Sequence, residues 1–104
     1  MRRFAHVALP VPGEQELAWI IDRTARGDDT ASGAVRRLLT LRELRILGAG
    51  VYLDAVRHAA ERNAAEPADQ RTLARETYNA YVEPLMGGLD DNAEVRLREL
   101  LGGL

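Results

Sequence analysis

The chain has 104 residues, no cysteine, one tryptophan, one phenylalanine and a formal net charge of −2. That length predicts a single domain spanning 1–104, the missing cysteines exclude disulfides and thiolate metal sites, and the charge gives no global basic signal for nucleic acid. No apolar run approaches the roughly 18 residues of a membrane span, and no signal-peptide core follows Met1-Arg2-Arg3-Phe4, which predicts a cytoplasmic protein without a membrane partner.

Phe4 to Leu9 alternates and suits a short strand, with Ala5, Val7 and Leu9 on one face and Phe4, His6 and Ala8 on the other. Pro10-Val11-Pro12-Gly13 stops it. A lone strand of this length is not stable, so it must pair with another chain or lie as an extended arm on a helical body.

The first helix is expected from about Glu14 to Arg26, with Leu17, Ile20, Ile21 and Thr24 on one stripe. Acidic Glu14 and Glu16 open it, Arg23 and Arg26 close it, and Gly27 ends it. Trp19 falls off the stripe. It either meets the C-terminal helices or marks a contact surface.

A second helix is expected near Thr30, capped by Asp29 or Thr30. Val35, Leu38, Leu39, Leu41, Leu44, Ile46 and Leu47 cover nearly its whole circumference, which predicts a central, buried helix. Gly48-Ala49-Gly50 breaks the pattern. A third helix should span about Val51 to Ala64, with Tyr52, Val56, Ala59 and Ala60 inward and Asp54, Arg57, His58 and Glu61 outward. A fourth should start at Pro67, bury Ala74, Tyr78, Tyr81, Val82 and Leu85, and close at Pro84 and Gly87-Gly88. A fifth should begin at Asp91, with Glu94 completing a capping box, and carry Leu97, Leu100, Leu101 and Leu104. The fold class is therefore mainly α: four to five short helices and one short N-terminal strand, paired across a dimer if it forms.

Chemistry is thinly represented. His6 and His58 stand apart in sequence, and Ser32, the only serine, lacks nucleophile-elbow glycines. No metal-ligand spacing and no phosphate-cradling glycine loop occurs. No enzyme, metal or cofactor is expected.

The order of elements carries the strongest pointer. A strand, a helix, and then Thr30-Ala31-Ser32-Gly33-Ala34-Val35-Arg36-Arg37-Leu38-Leu39 resemble the ribbon–helix–helix family of dimeric DNA-binding regulators and antitoxins, over residues 3–45. The resemblance implies a homodimer whose paired strands enter the major groove of duplex DNA. Phe4 and His6 would then face the bases, helped by Arg2 and Arg3. Thr30 and Ser32 would lie near a phosphate at the helix N-terminus, with Arg36 as a further backbone contact. It divides the chain into a ribbon–helix–helix-like part, 1–47, and an acidic helical extension, 51–104, that would bind a second protein or a ligand.

Charge follows that division. Residues 1–48 hold eight arginines against six acids, and residues 49–104 hold six against ten. The residues alone support an alternative equally well: an all-α protein–protein interaction module (an adaptor, an inhibitor or a phage-type assembly component) that does not bind DNA. Its contacts would be Trp19, Tyr78 and Tyr81.

Overall fold

The computed structural model describes residues 13–104. Within them the chain forms five α-helices and no strand: α1 (Glu14–Thr24), α2 (Asp29–Arg37), α3 (Ala49–Ala65), α4 (Gln70–Thr77) and α5 (Asp91–Gly102). The strand expected at Phe4–Leu9 lies outside the described residues. None of the described helices is long and apolar enough to cross a membrane.

Helix α2 is the central element, packed against α1, α3 and α4. Ala31, Ser32, Gly33, Ala34 and Val35 are all buried, so its first turns meet protein on every side. The apolar run expected to continue this helix instead tightens into a 3-10 helix, Leu38–Glu43. A three-residue period brings residues i and i+3 into line. Leu38 and Leu41 therefore face the core together, with Leu44 half-buried behind them. Ile46, expected on the same buried helix, stands 59% exposed because the chain has left helical geometry before reaching it.

The core joins Leu17 and Ile21 of α1, Val35, Leu38 and Leu41 of the central segment, and Tyr52, Val56 and Ala59 of α3. Tyr78, Val82 and Met86 close it from the far side. Each fully buried leucine among these contributes about 2 kcal/mol of transfer free energy. A smaller cluster, Ala34, Leu73 and Ala74, marks where α2 and α4 approach most closely. Gly33 makes that approach possible: a Cβ there would strike the Gln70 amide, 2.8 Å from its Cδ.

The helix ends depart from the sequence expectations in ways their caps explain. Asp28, not Asp29 or Thr30, caps α2, its carboxylate accepting the Ala31 N–H at 2.9 Å. Helix α3 starts earlier than expected, at Ala49 behind Gly48, so Gly50 lies inside its first turn. Helix α4 starts at Gln70 rather than Pro67, because Asp69 accepts the Thr72 N–H at 2.7 Å. Asp90 rather than Asp91 caps α5 through the Ala93 N–H at 2.8 Å.

Beyond Thr77 the fourth helix widens into a π-turn, Tyr78–Val82, and then a 3-10 turn, Glu83–Leu85. Two causes are at hand. The Thr77 hydroxyl donates back to the Leu73 carbonyl at 2.8 Å and reaches the Ala74 carbonyl at 3.1 Å. Pro84 has no N–H to continue the ladder. Tyr78 and Val82 face inward as their spacing from Ala74 predicts, and the change of pitch leaves Leu85, expected in the same stripe, 43% exposed.

Polar clasps hold the periphery. Arg62 of α3 grips Glu76 of α4 with two bonds, 3.0 and 3.2 Å. Arg96 of α5 grips Glu43 with two, 2.6 and 3.0 Å. The Arg45 guanidinium donates to the Leu85 and Gly87 carbonyls at 2.7 and 2.8 Å, fixing the turn before α5.

Candidate functional site

Two regions bear on function: the start of α2 and a groove between α1 and α3. At the start of α2 the Asp28 carboxylate and the Ser32 hydroxyl are already engaged. The Asp28 carboxylate caps the helix and also accepts from the Asn63 amide at 3.1 and 3.3 Å. The Asn63 carbonyl in turn accepts the Ala68 N–H at 2.9 Å, tying in the turn that leads to α4. Ser32 is fully buried, and its hydroxyl donates to Asp22 of α1 at 2.9 Å. Thr30 is half-buried in the first turn, and Arg36 is exposed on the helix. Of the residues expected at a phosphate, Ser32 therefore faces the protein interior, and a carboxylate occupies the place of the anion. Arg2, Arg3, Phe4 and His6 lie outside the described residues.

The second region begins with α1. Trp19 and Arg23, four residues apart, share one helix face, and the Arg23 guanidinium sits over the indole at 4.8 Å. Trp19 is 61% exposed. It borders a groove of about 760 Å³ between α1 and α3. Ile20, Thr24 and Ala25 line the α1 side. Arg57, Ala60, Glu61 and Ala64 line the other, at the spacing of one α3 face. Ala60 and Ala64 leave the channel open where longer side chains would fill it. Arg57 pairs with Asp54 at 3.4 Å, but both are more than 60% exposed, so this is a weak solvated contact.

Arg26 completes the lining. Its φ is +52°, in the left-handed region, and Gly27 follows at +90°. Those two residues end α1 two positions before the expected boundary. The Arg26 position is the one where helices usually place glycine, so a side chain here carries backbone strain.

The other expected contacts are placed differently. Tyr78 is 7% exposed and belongs to the core, so the side chain offered as a partner contact has almost no surface to give. Burial pushes its hydroxyl above the ordinary tyrosine range, aided by the nearby Glu83 charge. Tyr81 is half-buried, edge-on to the His58 ring with centroids 5.6 Å apart. A smaller cavity of about 140 Å³ lies between the end of α4 and α5, lined by Arg75, Tyr78, Asn79, Leu101 and Leu104. Tyr52 is almost completely buried, its hydroxyl without a hydrogen-bond partner among the described residues. Burial raises its ionisation above the usual tyrosine range, and the Arg42 charge offsets part of that rise.

Among the described residues no group of three or more His, Asp or Glu side chains could hold a metal ion. Sequence reasoning singled out Trp19 but missed Arg26, Arg57, Ala60 and Ala64 as its neighbours. The usable signal was the alanine pair on the α3 face that carries Arg57. No family model matches the chain, and neither a curated protein nor a solved structure matches it.

Proposed function

We propose that this chain is a small helical protein–protein interaction module of the adaptor or inhibitor kind, and that its partner docks in the α1–α3 groove around Trp19. The observation that carries the reading is the exposed indole. A tryptophan left 61% in solvent beside an arginine, at the rim of a roomy groove, presents the two residue types that most often anchor protein interfaces.

The rival reading is a dimeric ribbon–helix–helix regulator or antitoxin bound to duplex DNA. Exposed Arg36 and Arg37 on α2 favour it. Two features weigh on the other side. Asp28 and Ser32 are spent within the chain at the helix end that would hold a phosphate. The apolar surface of α2 is also covered by its own α1, α3 and α4, so one chain completes this core without a second copy.

One paired experiment separates the readings. The full chain, its Trp19→Ala variant and, as a control away from the groove, Arg98→Ala on the exposed surface of α5 are used as bait in extracts of the source cell, and any protein captured is purified and titrated against all three. Loss of binding in Trp19→Ala alone is the expected result. The same preparations are titrated with duplex DNA from the promoter of their own gene at low and physiological salt. Promoter-selective binding that survives salt and is indifferent to Trp19 would replace this reading with the regulator.

A further inference from the structure

Resting on the groove as the docking surface, we infer the chemistry of its occupant: an acidic amphipathic helix of a partner protein, its apolar side against Trp19 and the alanines of the lining, its carboxylates against Arg23, Arg26 and Arg57. Three observations converge on it. Charge is the first. Three arginines and one glutamate line the groove, a local excess of positive charge on a chain whose net charge is −2. Asp54 offsets Arg57 in part, and Arg23 and Arg26 keep the sign. Shape is the second. The groove runs between two helices, and Ile20, Ala25, Ala60 and Ala64 in its lining are small or apolar side chains that suit a helix laid along them. A single-stranded nucleic acid would want successive aromatic platforms, and the groove has one ring.

The third observation is the strain at Arg26. A left-handed residue with a large side chain is held where glycine is the ordinary choice, and glycine is present at the next position. Strain that persists beside an exposed cleft points to a use for the side chain that carries it. Here the use is to set a third guanidinium at the end of the groove, where the first carboxylate of an incoming helix would arrive.

Trp19 is the only tryptophan in the chain, so its emission reads the groove directly. The probes are a synthetic amphipathic helix of leucine and glutamate without tryptophan, the same peptide with lysine for glutamate, and a single-stranded oligonucleotide. The expected result is a blue shift of Trp19 emission with the glutamate peptide, weakened by salt, with the lysine peptide bound at least about tenfold more weakly. Arg26→Gly should weaken the glutamate peptide several-fold while its thermal midpoint holds or rises, and Arg23→Ala combined with Arg26→Gly should weaken it about tenfold or more. Equal or tighter binding of the lysine peptide would overturn the acidic complement while leaving the groove a protein-docking surface. Preference for the oligonucleotide would overturn both. Silence from all three probes would overturn the inference, and the Trp19-dependent capture would still judge the docking reading by itself. A fall in both stability and binding in Arg26→Gly would make Arg26 a structural residue and refute its role.

Discussion

Asp28 offers the sharpest test of how this fold is held. Its carboxylate makes one bond to the Ala31 N–H and two to the Asn63 amide, in a half-buried setting. Replacing an N-cap aspartate by alanine costs about 1 kcal/mol. Leaving the Asn63 amide without its charged acceptor adds roughly 1–2 kcal/mol. Asp28→Ala should therefore lose about 2–3 kcal/mol in urea unfolding. For a chain of this size that lowers the thermal midpoint by roughly 10–20 °C. Asp28→Ser keeps a capping oxygen but is too short to reach Asn63, so it should recover about half of the loss. The assay is urea denaturation followed by circular dichroism on Asp28→Ala, Asn63→Ala and the double variant. The structure demands a coupling of at least about 0.5 kcal/mol between the two sites. A loss below about 0.5 kcal/mol in Asp28→Ala, or perfect additivity in the cycle, would refute the relay from α2 through Asn63 to the α3–α4 turn.

Other expectations follow from single contacts. Gly33→Val should cost about 1–3 kcal/mol by overpacking α2 against α4. Gly33→Ala should cost less than Gly33→Val, because only the Gln70 amide, held by Arg37 at 2.6 Å, must give way and the helix gains about 1 kcal/mol of propensity. Urea midpoints of the two variants decide it. The Arg96 hydrogen bonds hold the Glu43 carboxyl below its ordinary value of 4.5. As pH falls, the unfolded chain then takes up its proton before the folded chain does, and this contribution is present above pH 4.5 and lost below it. The difference in urea midpoint between the wild type and Glu43→Gln should accordingly be visible at pH 7 and vanish towards pH 3, with Glu43→Gln the less acid-sensitive. Trp19→Ala should change unfolding free energy by no more than about 0.5 kcal/mol, so that any binding it loses is lost contact and not lost fold.

Five helices were readable from the spacing of apolar residues, because burying one stripe of each amphipathic helix supplies most of the helical stability in a chain with so few aromatics. Their ends were less readable. Asp28-Asp29 and Asp90-Asp91 each offer two equivalent caps, and the choice is made by which residue adopts the extended backbone, ψ 90° at Asp28 and 173° at Asp90. The leucine-rich run after Arg37 fits an α-helix by composition. The alignment of Leu38, Leu41 and Leu44 at intervals of three was the clue to its tighter winding. Tyr78 was readable both as part of the fourth helix's buried stripe and as a partner contact, and the core claims it. Trp19 could be read either way until its exposure and the groove beside it were known. A groove is a property of two helices at once, and no single-helix pattern contains it.

Helix α5 differs from the other four in one respect: none of its 12 residues is buried. It is held by half-buried Leu97, Leu100 and Leu101 and by the Arg96–Glu43 fork, both at its inner edge. Amide hydrogens there should exchange with solvent deuterium through local opening, well before those of α2, which report global unfolding. Each such opening would bare the strip of Leu97, Leu100 and Leu101, making the last helix the place where self-association at high concentration begins and the natural segment to tether when the protein is handled.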